Sequence, residues 1–153
     1  MIDINVTLEQ INKRSLTNMA EHLGLEFVEI HPDYLVAKLP VDYRTTQPLG
    51  MLNGGASAAL AETVGSMAAY LSVDRNHFYT LGLEIKVNHL RPALQGYVYG
   101  KATPIHIGRK THVWKIETRD DEGNLISYST LTMAVVAIED FMRDKIHSLT
   151  FEG

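Results

Sequence analysis

A single carboxylate, Glu62, interrupts a run of small and apolar residues that extends from Ala56 to Leu71. A carboxylate held among apolar neighbours is costly unless it is paired or used. Poorly solvated, it gains basicity and becomes a better general base near neutral pH. The alternative places Glu62 on the solvent side of its element, and the pattern alone leaves both open. The run is fed by Gln47-Pro48-Leu49-Gly50-Met51-Leu52-Asn53-Gly54-Gly55. A helix beginning there offers unpaired N–H groups and a partial positive charge, and the Gly54-Gly55 pair lets a ligand approach that backbone closely. Such a site suits a developing oxyanion on a carbonyl substrate. A flexible helix start is the competing explanation.

Spacing constrains how these groups can cooperate. Asn53 and Glu62 are nine positions apart, which on one helix is roughly 13 Å of rise and about half a turn of phase. A carbonyl at the helix N-terminus therefore cannot also touch Glu62 of the same helix. If both act on one substrate, two copies of the chain must meet, one giving Gly54 and Gln47 and the other Glu62. Ser66, one turn beyond Glu62 on the same face, is placed to orient a water or the carboxylate.

Two basic segments stand elsewhere, Asn88-His89-Leu90-Arg91-Pro92 and His106-Ile107-Gly108-Arg109-Lys110-Thr111. They suit the phosphates of a CoA-like group, or are solvated hairpin ends. The seven histidines have no metal-ligand spacing, so no metal is expected, and no nucleophile-elbow, Walker or dinucleotide fingerprint occurs. A net charge of −4 without a basic cluster argues against nucleic acid. The absence of cysteine excludes disulfides and thiol chemistry and fits a reducing cytoplasm. Met1-Ile2-Asp3-Ile4-Asn5 lacks the features of a signal peptide, and the longest apolar run, Met133 to Ile138, is too short to cross a membrane.

The elements that must position these groups follow from periodicity. At 153 residues, with 45% hydrophobic and 21% charged, the chain fits one domain. Thr7 and Gln10 form a capping box for an amphipathic helix over 8–23, ended by Gly24. Leu25 to Ile30 and Tyr34 to Leu39 read as strands about a His31-Pro32-Asp33 turn. Gly54 to Ser72, rich in alanine and without proline, predicts a central helix of about five turns. A half-buried strand follows, with Leu81, Leu83, Ile85 and Val87 facing one way. Three more strands are expected over Gly96–Thr103, Thr111–Arg119 and Leu125–Ile138, the last two joined by a hairpin at Asp120-Asp121-Glu122-Gly123-Asn124. The order implies an α+β domain over 1–138, an antiparallel sheet wrapped around one long central helix. The extension 139–153 shows no pattern, and Phe141, Ile146, Leu149 and Phe151 could dock or dangle.

The segments Thr46 to Ala56, Ala61 to Ser66, Gly82 to Ile85 and Asn88 to Pro92, in this order and spacing, resemble the hotdog-fold acyl-CoA thioesterases. The branch is that of 1,4-dihydroxy-2-naphthoyl-CoA hydrolase and the Arthrobacter-type 4-hydroxybenzoyl-CoA thioesterases (PaaI-like), over roughly residues 5–138. The resemblance implies hydrolysis of an aromatic or medium-chain acyl-CoA, with Glu62 as nucleophile or general base. The Gly54 or Gly55 N–H would polarise the thioester carbonyl, with Gln47 assisting, and Ser66 would be the family's hydroxyl-bearing position. Gly82, His89, Leu90, Arg91 and Pro92, with His106, Ile107, Gly108, Arg109, Lys110 and Thr111, match segments that hold CoA. No cofactor is implied beyond the CoA of the substrate. The assembly implied is a homodimer at minimum and usually a homotetramer. One position departs, since Asn53 stands where the family motif carries histidine, and asparagine cannot become cationic or shuttle a proton. Two competing readings are an acyl-thioester hydratase or dehydratase and a non-catalytic acyl-CoA-binding protein. The first is ranked lower because such enzymes pair a carboxylate with a histidine, and the sequence shows none at the helix start. The second would need an added partner module.

Overall fold

The structure is a computed structural model that describes residues 1–15 and 18–139. The capping box forms as read, with Thr7 N–H donating to Gln10 Oε1 at 2.8 Å and Gln10 N–H to Thr7 Oγ1 at 3.2 Å. The helix it starts, α1 (Leu8–Ser15), is not the single helix expected over 8–23, because a second, α2 (Met19–Leu23), begins afresh. Asn18 sets that restart: its backbone is extended, its Oδ1 accepts from Ala20 N–H, and its Nδ2 donates to the Arg14 carbonyl. Gly24, at φ 73°, closes α2 as a left-handed C-cap.

Six strands form one antiparallel sheet: β1 (Glu26–His31), β2 (Tyr34–Pro40), β3 (Phe78–His89), β4 (Tyr97–Ile107), β5 (Thr111–Asp120) and β6 (Leu125–Ala137), in spatial order β1-β2-β4-β5-β6-β3. The long helix α3 (Gly54–Tyr70) packs against this sheet, as the α+β hotdog reading requires. The hairpin at 120–124 is present, with Asp120 N–H bonded to the Asn124 carbonyl and Gly123 at φ 84°. Phe141, Ile146, Leu149 and Phe151 lie outside the described residues.

Small residues on α3 let the sheet approach its backbone. Leu60, Ala61, Val64, Ala68 and Ala69 are fully buried, and only Gly55 and Glu62 of the helix are exposed. At Gly65 the approach is closest, since a Cβ there would lie 2.6 Å from Leu131 Cδ2, itself fully buried. Trp114, Ile116 and Met133 complete this layer from β5 and β6.

The two edges of the sheet differ. At β1, Asn12 of α1 covers part of the edge, its Nδ2 donating to the Phe27 carbonyl and its Oδ1 accepting from Phe27 N–H, each at 2.8 Å. At β3, twelve residues long, no strand among the described residues pairs with the outer edge. The half-buried alternation expected there is corrected: Leu81 is 51% and Leu83 64% exposed, while Ile85 and Val87 are only partly covered. The cause is position at the edge together with a bulge between Gly82 and Glu84, which breaks the period of two at Leu83.

The start of α3 is capped by Asn53, whose Oδ1 accepts from Gly55 N–H at 2.7 Å. Replacing Asn53 with alanine is expected to lower stability by about 1 kcal/mol in chemical denaturation. Gly65→Val should cost about 1–3 kcal/mol in the same assay, because a branched side chain must displace Leu131 from a filled core.

Candidate active site in two clefts

The residues singled out by chemistry separate into two clefts on one chain. The first, about 440 Å³, is lined by Gln47, Gly54, Ser57, His89 and Arg91, with Ile126 among its apolar walls. The second, about 410 Å³, is lined by Glu62, Ser66, Met67, Tyr70, Arg14 and Thr80, among others. Gly54 and Glu62 are eight residues apart on one rigid helix, about 12 Å of rise.

In the first cleft the loop before α3 is held as a tight turn. Gly50 sits at φ 83°, its N–H bonded to the Gln47 carbonyl, and Gln47 N–H to the Met51 carbonyl. Gln47 Oε1 accepts from Leu49 N–H, which leaves its amide nitrogen as the group able to donate. Because Asn53 occupies Gly55 N–H, the open donor of the first turn that lines the cleft is Gly54 N–H. Asn53 acts as a cap, its acceptor turned to its own helix.

An imidazole does stand at this helix start. A Cβ on Gly54 would lie 3.0 Å from His89 Nε2, so the ring of His89 packs directly over Gly54. The expectation that no histidine reaches the helix start is therefore corrected. The sequence hides it because His89 ends β3, thirty-five positions away, and only the sheet topology returns that strand end to α3. Leu90, Arg91 and Pro92 follow into the same cleft.

The second cleft places Glu62 over β3. A Cβ at Gly82 would lie 2.7 Å from Glu62 Oε1, so Gly82, read as part of a CoA-holding segment, sits beneath the carboxylate and gives it room. Glu62 is exposed and makes no hydrogen bond or ion pair among the described residues. One chain therefore does not desolvate it, and the solvent-side alternative describes the isolated protomer. Ser66 lies one turn on, its Oγ directed at Met133 Sδ at 3.7 Å. Sequence reasoning missed Tyr70 and Arg14, whose guanidinium carbon lies 5.5 Å from the Tyr70 ring centre. Tyr70 was within reach of a sequence argument, being two turns beyond Glu62 on the same face.

The two basic segments also lie apart. His89 to Pro92 follow one end of β3, whereas 106–111 form the β4–β5 turn, which Val135 N–H joins by donating to the Lys110 carbonyl. Val135 pairs with Thr80, at the Glu62 end of β3. From Gly82 to His89 is seven residues of strand, about 23 Å. His106, Ile107, Arg109 and Lys110 are exposed, and neither Arg91, Arg109 nor Lys110 has an acidic partner among the described residues. Among those residues no cluster has the make-up of a metal site, and no helix is long and apolar enough to cross a membrane.

Comparison with known proteins gives the family. Residues 49–127 match the thioesterase superfamily. Proofreading thioesterase EntH of Cronobacter turicensis is 46% identical over 132 residues, covering 86% of this chain and 96% of that protein. The 1,4-dihydroxy-2-naphthoyl-CoA hydrolase of Escherichia coli K12 is 44% identical over 131 residues, covering 86% and 96%. The crystal structure of thioesterase HI1161 from Haemophilus influenzae superposes with a TM-score of 0.88 at 41% identity, covering 91% of this chain and 97% of that one. The chain belongs to the thioesterase superfamily, with the hotdog fold, and is a thioester hydrolase.

Proposed function

We propose that this protein hydrolyses an aromatic or medium-chain acyl-CoA at a site that two copies of the chain complete together. The observation that carries the reading is the division of the chemistry: the helix N-terminus with Gln47 and His89 lines one cleft, and Glu62 with Ser66 lines another. The open β3 edge, with Leu81 and Leu83 exposed, supplies the surface on which a second copy pairs. Such pairing also covers Glu62 and provides the desolvation that one chain lacks. A homodimer is the minimum assembly, and a homotetramer the form implied by the family resemblance.

The thioester carbonyl oxygen accepts from Gly54 N–H, with the Gln47 amide assisting, while the carbonyl carbon faces Glu62 of the other copy. Glu62 takes a proton from water, whose oxygen attacks that carbon; the resulting oxyanion is stabilised at the helix start. Collapse breaks the C–S bond, and the proton held on Glu62 returns to the CoA thiolate. Direct attack by Glu62, giving a mixed anhydride that water then opens, uses the same geometry. Arg91, with the 106–111 turn, serves the CoA phosphates. No cofactor beyond the substrate's CoA, no nucleic acid and no membrane enter this scheme, and its setting is the cytoplasm. The wall of the Glu62 cleft, with Phe27 and Tyr70, suits an aromatic or medium-chain acyl group, as does the name of the naphthoyl-CoA hydrolase relative.

His89 at the helix start gives one observation in favour of hydration or dehydration of an acyl thioester, which also pairs a carboxylate with an imidazole. The thioesterase relatives weigh toward hydrolysis. A free-thiol assay over aromatic and aliphatic acyl-CoAs separates the two, because dehydration of a 3-hydroxyacyl-CoA releases no thiol. Glu62→Ala is expected to cut thiol release by about a thousandfold or more while the oligomer persists; turnover like that of the wild type would refute the mechanism. Dilution to the monomer should abolish activity, and a monomer with full turnover would refute the shared site.

A further inference from the structure

Ser66 lines the Glu62 cleft one turn along α3 from the carboxylate, and its chemistry depends on where its hydroxyl hydrogen points. A serine in a helix ordinarily returns that hydrogen to the carbonyl one turn back. Ser72, just past the end of α3, does so, its Oγ donating to the Ala68 carbonyl at 2.8 Å. Ser66 does not. Its Oγ donates instead across to β6, to Met133 Sδ at 3.7 Å, and no hydrogen bond joins it to Glu62 among the described residues. Met133 is 1% exposed and pairs with Gly82 on β3. A Cβ at Gly82 would lie 3.9 Å from Met133 Sδ and 2.7 Å from Glu62 Oε1. The bare backbone of Gly82 thus lets a core sulfur and the carboxylate approach one point from two different elements.

A hydroxyl has one hydrogen to donate and two lone pairs that accept, whereas a thioether only accepts. The bond to Met133 therefore has one possible direction, and Ser66 is left with lone pairs alone to offer the cleft. An ionised Glu62 also only accepts. Two acceptors then stand four residues apart on one helix face, with about 5–6 Å between their Cβ atoms. A water lodged between two acceptors gives one hydrogen to each and keeps a lone pair free. That lone pair attacks the thioester carbon, and the hydrogen given to Glu62 is the proton that moves. We propose that Met133 is a positioning residue, whose sulfur takes the Ser66 hydroxyl hydrogen and so fixes Ser66 as the acceptor that orients the hydrolytic water for Glu62. This rests on the reading of Glu62 as the base that activates that water.

The test is steady-state thiol release from benzoyl-CoA and hexanoyl-CoA by the intact protein, with thermal melting as the control for folding. Met133→Leu and Met133→Ile keep an apolar side chain of similar volume and lose the sulfur. Each frees the Ser66 hydroxyl to turn its hydrogen to Glu62 or to the water's lone pair. Each should lower kcat about fivefold with KM unchanged. Ser66→Ala should lower kcat by at least as much. In the Ser66→Ala background neither Met133 variant should have a further effect, because no hydroxyl is left to direct. An unchanged kcat in Met133→Leu or in Ser66→Ala overturns the proposal, as does a Met133 effect that persists without Ser66. Leucine and isoleucine variants that melt alike but differ in kcat would also overturn it, since shape and not sulfur would then matter. If the wild type releases thiol from neither substrate, or Glu62→Ala keeps its turnover, the hydrolytic reading of this cleft fails first and the role of Met133 fails with it.

Discussion

A straight helix cannot fold its first turn back onto its ninth residue, and the rest of this structure is arranged around that limit. α3 carries Gly54 at one end and Glu62 about two turns further on. Gly65, with Leu131 pressed against its backbone, and the row of buried alanines hold the helix close to the sheet. The helix therefore has no freedom to bend or slide so as to bring the two groups together. The clefts at either end inherit this separation, and so do the two basic segments at opposite ends of the sheet.

The start of α3 is set by one side chain. Asn53 turns its oxygen to Gly55 N–H and becomes the helix cap. The first turn then has one fewer open donor, and Gly54 is left as the one that faces the cleft. An imidazole is nevertheless present at the same place, delivered from the end of β3 by His89.

Much of this was legible in the sequence, for reasons that are local. The Thr7–Gln10 capping box, the hairpin at 120–124, the alanine-rich helix and the alternation of the later strands are each set by residues close in the chain. The division of the site needed only the rise of a helix and two residue numbers. What escaped depends on contacts between distant residues. Asn18 restarts a helix that hydrophobic spacing alone would continue. Leu81 and Leu83 follow an inward alternation, yet lie on the edge strand of the described sheet with a bulge at Leu83. His89 meets Gly54 only because β3 pairs with β6 along its whole length.

The open edge of β3 also bears on how the protein must be made. An edge strand of this length, bearing exposed leucines, is a template for any extended segment it meets, whether or not that segment is its proper mate. Glu84, Lys86 and the bulge between Gly82 and Glu84 blunt that template only in part. If two copies pair at this edge as proposed, a newly synthesised chain is most vulnerable in the interval between folding and finding its mate. That interval shortens as the concentration of folded chains rises, so the yield of sound protein should depend on how fast chains are supplied as well as on how stable each one is.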